Sequence, residues 1–323
     1  MTSVLGGLKV RVAAKHVEAV GICSFELVEA GGNALPAFSA GSHIDVAVPG
    51  GLTRQYSLCN APNESHRYQI SVLRDPSSRG GSAGMHDRVS VGDELIISAP
   101  KNHFALAHGA RHSVLLAGGI GVTPILCMAE RLSMIGASFE MHYCTRSREH
   151  TAFLERIAGA CYASHVQFHF DDGAVDQKLD MAACLAKPES GTHLYVCGPK
   201  GFMESVLHAA RAAGWPEAQL HYEFFAAEAR SPADDARFEV EIASTGQVVV
   251  VEKDETVVQA LAKVGVEIQI SCEQGVCGTC LTRVLEGEPD HFDVYLSAEE
   301  RAANDQFLPC CSRGKSSRLV LDL

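Results

Sequence analysis

Nothing at the start of the sequence resembles a signal peptide. Met1-Thr2-Ser3-Val4-Leu5 has neither a basic start nor a long apolar core, so the expected location is the cytoplasm. It also lacks an uninterrupted apolar run of membrane length, about 20 residues. The most apolar stretch, 113–129, is uncharged but is broken by Gly118, Gly119, Gly121 and Pro124, which reads as strand, turn and helix. Positive charge is scarce: 27 Lys and Arg face 39 Asp and Glu, for a net charge of −12. Nucleic acid and anionic membrane are therefore not expected partners. What remains is ordinary globular material, 46% hydrophobic and 20% charged over 323 residues, enough for two or three domains. Twelve cysteines in so long a chain without a leader imply reduced thiols and a metal site, not a disulfide framework.

Five of those cysteines gather near the C-terminus. Cys272, Cys277 and Cys280 are spaced C-x4-C-x2-C, and 29 residues separate Cys280 from Cys310, which Cys311 follows. Four-cysteine structural zinc prefers two C-x2–4-C pairs, whereas here the two possible pairs share Cys277 and leave Cys310 without a partner at that spacing. The spacing is that of a plant-type [2Fe–2S] cluster, with four thiolates on two irons. Gly275 and Gly278 let a tight loop wrap such a cluster and free backbone N–H groups toward its sulfurs. From Arg237 onward 8 basic residues face 15 acidic ones, an acidic surface suited to steering a basic redox partner.

The first hundred residues alternate polar with β-branched or aromatic residues over 8–12, 23–28, 43–48, 68–73 and 94–98. With Gly and Pro between them, these read as an antiparallel sheet closed into a small barrel, with no helix before Lys101. Two polar islands interrupt it. In Arg54-Gln55-Tyr56-Ser57 the cation and the ring sit two apart on one strand and face the same way. They suit a flat, partly anionic ring system, with Ser57 acting at a bend or through its backbone. Arg79-Gly80-Gly81-Ser82 reads as a Gly-rich turn for a phosphate.

From Arg111 the period changes. Strands at 113–117, 139–143, 166–170, 194–197 and 220–224 alternate with helices at 153–160, 178–186 and 201–213, implying a parallel sheet of about five strands with a crevice at their carboxyl ends. The Rossmann Gly-x-Gly-x-x-Gly is absent. Gly118, Gly119 and Gly121 before a helix still let backbone approach a pyrophosphate. Asp171 and Asp172 after the third strand suit a ribose 2′-OH and repel a 2′-phosphate, which favours NADH over NADPH; Arg146 and Arg148 are the groups that would accommodate the phosphate in the alternative. A polar, Ala-rich linker at 227–236 then leads to strands around Thr245-Gly246, a helix capped by Asp254 and ended by Gly265, the cysteine loop, and strands at 281–285 and 319–321.

These motifs together resemble the ferredoxin–NADP reductase superfamily: Arg-x-Tyr-Ser, then Gly-Gly-x-Gly-x-Thr-Pro, then Cys-Gly-Pro, then the cluster loop. The Gly-Gly-Ser phosphate turn resembles its FMN-binding branch, which includes phthalate dioxygenase reductase and vanillate demethylase reductase. The resemblance implies an FMN-binding β-barrel at 1–104, an α/β nucleotide-binding domain at 105–226 and a β-grasp [2Fe–2S] ferredoxin domain at 237–323. It assigns FMN to Arg54, Gln55, Tyr56, Ser57, Ser71, Val72, Leu73, Arg79, Gly80, Gly81 and Ser82, with Phe225 near the ring. The nucleotide falls to Gly118, Gly119, Gly121, Thr123, Thr145, Arg146, Asp172, Cys197, Gly198 and Pro199. Cys197 lies beside the nicotinamide, and Ser57 is the nearest candidate to a proton-handling group. Because the family ends Cys-x-Ser-Arg, Cys310 is the fourth ligand. The implied protein is a monomeric reductase that passes electrons from NADH through FMN and the cluster to a Rieske-type oxygenase. The competing readings are a flavin and cluster module that does not oxidise nicotinamide, against which the two glycine-rich nucleotide motifs argue, and a reductase for another acceptor.

Overall fold

Alternation of inward and outward residues closes the first sheet on itself. The computed structural model describes residues 7–76, 78, 80–186, 188–225 and 236–323. They form two compact units, Met1–Glu223 and Phe224–Leu323. In the first, β1 (Leu8–Ala19), β2 (Ile22–Glu29), β3 (Ser42–Val48), β4 (Leu52–Ser57), β5 (Tyr68–Leu73) and β6 (Glu94–Ile97) pair in the order β4-β3-β6-β1-β2-β5, and β7 (Lys101–Asn102) joins β3. The pairings are antiparallel. A bridge between Leu58 and Ile70 brings the two edges together. Phe25, Leu27, Ile44, Val46 and Ile70 fill the interior.

One expectation fails here. A helix, α1 (Gly81–Arg88), precedes Lys101. Its sequence, GSAGMHDR, has poor intrinsic helix propensity, so local reading misses it. Packing forms it instead: Met85 is fully buried, and a Cβ at Gly84 would lie 2.8 Å from Val48 Cγ1. The small residues let the helix lie flush on the barrel.

A parallel sheet follows in the same unit. β8 (His112–Gly118), β9 (Phe139–Thr145), β10 (Val166–Phe170), β11 (Thr192–Cys197) and β12 (Leu220–Glu223) stand in the order β10-β9-β8-β11-β12, all parallel. Helices α2 (Val122–Met134), α3 (Leu154–Ala158), α4 (Met181–Cys184) and α5 (Lys200–Ala212) connect them. The strand order reverses between β8 and β11, the place where such sheets leave a crevice for ligands.

In the second unit, β13 (Phe238–Ile242), β14 (Gln247–Val251), β15 (Thr282–Glu286), β17 (Gln306–Phe307) and β19 (Arg318–Leu321) order as β14-β13-β19-β15-β17. β16 (Pro289–Asp290) pairs with β18 (Arg313–Gly314). Helix α6 (Val257–Lys263) buries Val257, Ala260 and Leu261, and α7 (Ala298–Ala303) follows the cysteine loop. β13 and β19 are parallel and the other pairs antiparallel, the mixed sheet of a β-grasp. Thr256, not Asp254, caps α6. Its hydroxyl accepts the Gln259 N–H at 3.2 Å while Gln259 Oε1 accepts the Thr256 N–H at 2.9 Å, a reciprocal box that one acidic side chain cannot make. Of the expected linker, residues 227–235 lie outside the described residues. Among the described residues no helix is long and apolar enough to cross a membrane.

Candidate functional site

β4 carries the first cluster of expected site residues. Arg54 is buried, and a Cβ at Gly81 would lie 2.8 Å from its Nε. The guanidinium is therefore seated against the first residue of α1. Gly80 supports that approach with φ +104, a conformation that favours glycine. Ser78, which sequence reasoning passed over, accepts the N–H groups of Gly80 and Ala83 at 3.2 and 3.3 Å. A helix N-terminus with an arginine against it is an anion site, so these residues fit a flavin phosphate. Arg79 lies outside the described residues.

The structure divides the remaining barrel candidates. Tyr56 packs against the barrel core, and burial pushes its phenol up. Gln55 donates to Asp45 Oδ1 at 2.9 Å. Ser82 Oγ accepts the Asp75 N–H at 3.1 Å. Ser71 donates to the Cys23 carbonyl at 3.3 Å, Val72 belongs to the barrel interior, and Leu73 is exposed.

The crevice motifs come together by close backbone approach. A Cβ at Gly121 would overlap the Cys197 carbonyl, and one at Gly198 would lie 2.9 Å from Gly118 Cα. A Cβ at Gly118 would lie 3.0 Å from Pro199 Cδ. Gly119 takes φ +51. Thr123, buried at the start of α2, donates to the Ile120 carbonyl at 3.1 Å. The loops after β9 and β10 are also tied: Asp171 and Asp172 donate their N–H groups to Thr145 and Arg146 carbonyls at 3.0 and 3.2 Å. Arg146 and Asp172 are exposed neighbours there. The Thr145 hydroxyl is engaged within its own loop, 2.7 Å from Thr151 Oγ1.

A residue that sequence reasoning did not find joins barrel to crevice. Glu223 ends β12 as the register partner of Cys197, and its carboxylate accepts a hydrogen bond from Ser57 at the end of β4. Its Oε2 is shut from solvent without a hydrogen-bond partner. Burial lifts its carboxyl to about 7, against the lowering effect of Ser57. Cys197 is fully buried, donates toward the Glu223 carbonyl at 3.4 Å, and is pushed well up by burial. It is held as a neutral thiol. The available signal for Glu223 was an acid ending a strand beside a crevice, which any α/β sheet offers by chance.

The raised carboxyl makes a pH-dependent prediction. Native protein binds this proton more tightly than unfolded chain, so the associated stability is present below the ordinary carboxyl range and is lost as pH rises through about 7. Glu223→Gln carries no such loss. Its stability relative to the parent should improve by about 2 kcal/mol between about pH 5 and pH 8, the order set by about 1.4 kcal/mol for each tenfold difference in proton affinity. Denaturant titrations at both pH values measure the difference, and a pH-independent difference would refute it.

In the second unit the cysteines resolve into two contacting pairs, Cys272 with Cys277 and Cys280 with Cys310. Within each, the partner thiol holds one sulfur down, Cys277 by Cys272 and Cys310 by Cys280, and thiolates are what bind metal. Among the described residues no group of three or more His, Cys, Asp or Glu converges on one metal ion. Two contacting pairs match the two thiolates that each iron of a plant-type cluster takes. The donor set fits a [2Fe–2S] cluster. Gly275 and Gly278 adopt φ +72 and +71, and the Gln274 N–H donates to Cys272 Sγ at 3.3 Å. Tyr295, another residue not anticipated, lies where a Gly278 Cβ would be and is 48% exposed beside the loop. Phe225 is half-buried at the start of this unit.

Comparison with known proteins gives the family and the fold. Residues 240–315 match the family model of the 2Fe-2S iron-sulfur cluster binding domain, and residues 95–220 match that of the dimethylamine monooxygenase subunit DmmA-like N-terminal domain. The chain is 53% identical over 316 residues to a vanillate O-demethylase oxidoreductase from a Pseudomonas species, covering 98% of this chain and 100% of that protein. It is 41% identical to the phthalate 4,5-dioxygenase reductase subunit of Pseudomonas putida, covering 98% of this chain and 96% of the relative. Among solved structures, phthalate dioxygenase reductase superposes with a TM-score of 0.84 at 38% identity, covering 98% of both chains.

Proposed function

Because the chain belongs to the family of vanillate O-demethylase oxidoreductases and phthalate dioxygenase reductases, we propose that it is the reductase component of a Rieske-type oxygenase system. It takes a hydride from NADH and delivers electrons singly to the oxygenase. The observation that carries this reading is the meeting of two motifs at one point: Glu223, the register partner of Cys197 in the crevice, accepts a hydrogen bond from Ser57 in the barrel. A ring bound by the barrel and a nicotinamide bound in the crevice would meet there. When bound, FMN would supply the conversion of paired to single electrons, and a plant-type cluster held by the four cysteines would supply one-electron transfer, such clusters having potentials of about −400 mV.

The residues' part is to bind, orient and exclude water. Arg54 with Arg79 to Ser82 binds the flavin phosphate, while Tyr56 and Ser57 border the ring. Gly118 to Thr123 and Cys197 to Pro199 line the nicotinamide pocket, and Thr145, Arg146 and Asp172 take the ribose, with Asp172 favouring NADH. Cys272, Cys277, Cys280 and Cys310 hold the cluster. The working partition is 1–104, 105–226 and 237–323, in a cytoplasmic monomer. Anaerobic stopped-flow provides the test: NADH should bleach the flavin before the cluster, faster than NADPH does. No flavin bleaching would leave only an electron-transfer module.

The acidic surface offers a further check on the partner. Glu299 is exposed and Glu273 sits within the cluster loop. Replacing both by Lys should slow transfer to the oxygenase by about tenfold at low salt, the scale of electrostatic steering, while NADH-driven flavin reduction keeps its rate. Equal losses in the two assays would rule out docking on this face.

A further inference from the structure

A [2Fe–2S] cluster needs Cys310 placed against a loop from which 29 residues separate it, and the side chain between the two segments is a buried acid. We infer that Asp293 is the positioning residue that registers Cys310 against Cys272, Cys277 and Cys280. This rests on the cluster reading above. Asp293 is 2% exposed. Its Oδ2 accepts the N–H groups of Tyr295 and Leu296 at 3.1 and 2.8 Å, which folds 293–296 into a tight turn. That turn is fastened to the three-cysteine loop: the Val294 N–H donates to the Gly275 carbonyl at 3.0 Å, and the Tyr295 ring occupies the space a Gly278 Cβ would need. Leu296 packs with Cys280, Leu308 and Cys310.

The other carboxylate oxygen faces the Cys310 segment. Ser312, two residues beyond the ligand and 1% exposed, donates to Asp293 Oδ1 at 3.5 Å and accepts the Phe292 N–H at 3.2 Å. His291 Nδ1 lies 3.5 Å from the same oxygen. Arg301, from α7, donates to the Asp293 carbonyl at 2.6 Å and lies 3.8 Å from Oδ2. One carboxylate therefore holds the turn seated on three ligands with one oxygen and the segment bearing the fourth with the other. A carboxylate has the acceptor capacity for this; the 2.8 Å bond from Leu296 is its short arm and the 3.5 Å bond from Ser312 its long one. Asparagine keeps an acceptor for the turn and can donate to Ser312 Oγ. Alanine keeps neither arm.

The test uses the full-length holoprotein, with iron and acid-labile sulfide measured per bound flavin. The rate of cluster bleaching by an iron chelator and the cluster midpoint potential by EPR titration complete it. Asp293→Ala and Ser312→Ala should each bleach at least about tenfold faster, the order seen when residues behind metal ligands are lost, and the double variant should be no faster than Asp293→Ala. Asp293→Asn should retain full iron with a more positive midpoint, since a buried negative charge near the cluster is gone. Parent-like bleaching in Ser312→Ala, or multiplying effects in the double variant, would overturn the inference. So would an unchanged midpoint in Asp293→Asn. If Asp293→Ala does not fold, Ser312→Ala and Asp293→Asn decide. A parent protein without iron and sulfide would overturn the cluster reading instead.

Discussion

Cys310→Ala is expected to abolish electron delivery to the oxygenase while Cys311→Ala preserves it. The two thiols are neighbours in sequence and in contact, so the distinction rests on geometry. Cys310 is the sulfur held against Cys280. Cys311 turns to the Leu308 carbonyl and Ser312 Oγ, each at 3.7 Å. Alanine at 310 leaves the second iron with one thiolate. Iron and sulfide per flavin should fall to background, visible cluster absorption should vanish, and NADH should still bleach the flavin. Cys311→Ala loses the thiol's contacts with Cys310, the Leu308 carbonyl and Ser312 Oγ but no ligand, and should retain its iron. A variant pair with the opposite outcome would move the fourth ligand to Cys311. Zinc in place of iron in the parent would remove the electron exit altogether.

The features legible in the sequence are those whose physics is local. Cluster spacing, strand alternation and the switch to buried parallel strands at β8 all occupy a few consecutive residues, and the structure has them close to their expected positions. Thr256 took the cap from Asp254 because capping depends on an offset of three residues to Gln259, a two-residue shift that composition blurs. Helix α1 was illegible because its glycines lower helix propensity and its stability comes from the barrel it lies on. Glu223 and Asp293 were hidden for a different reason. Each matters through contacts across the fold, to Ser57 and to Ser312, and a lone acid at a strand end or in a loop carries no periodic signal. The phase of Ser57, one step off Arg54 and Tyr56, did hold information: it ends β4 and turns to Glu223 rather than sharing their face.

Gly121→Ala should nearly eliminate flavin reduction by NADH, more severely than the same change at its neighbours. At Gly121 the added Cβ would overlap the Cys197 carbonyl and come within 2.6 Å of the Gly198 nitrogen. Those are main-chain atoms at the end of a central parallel strand, and they cannot rotate away. The N-terminus of α2 and the end of β11 must separate, which opens the floor of the crevice where both nucleotide motifs meet. At Gly118 the Cβ would instead meet the Phe202 ring at 2.8 Å and Pro199 Cδ at 3.0 Å, side-chain atoms and not main chain. At Gly119 nothing lies within 4 Å, so the cost is the positive φ alone, about 1 kcal/mol. Overpacking at a site that cannot relax costs about 1–3 kcal/mol of stability. A reacting group displaced by about 1 Å costs about a hundredfold in rate. The expected order of flavin bleaching rates is therefore parent, Gly119→Ala, Gly118→Ala and, about a hundredfold down, Gly121→Ala. Cluster content should remain intact, because the cysteine loop belongs to the other compact unit. Stopped-flow bleaching with saturating NADH separates this from weakened binding: a displaced crevice floor lowers the limiting rate as well as the apparent affinity. A Gly121→Ala protein that reduces its flavin within about twofold of the parent would mean that the approach of α2 to Cys197 does not set the nicotinamide's position.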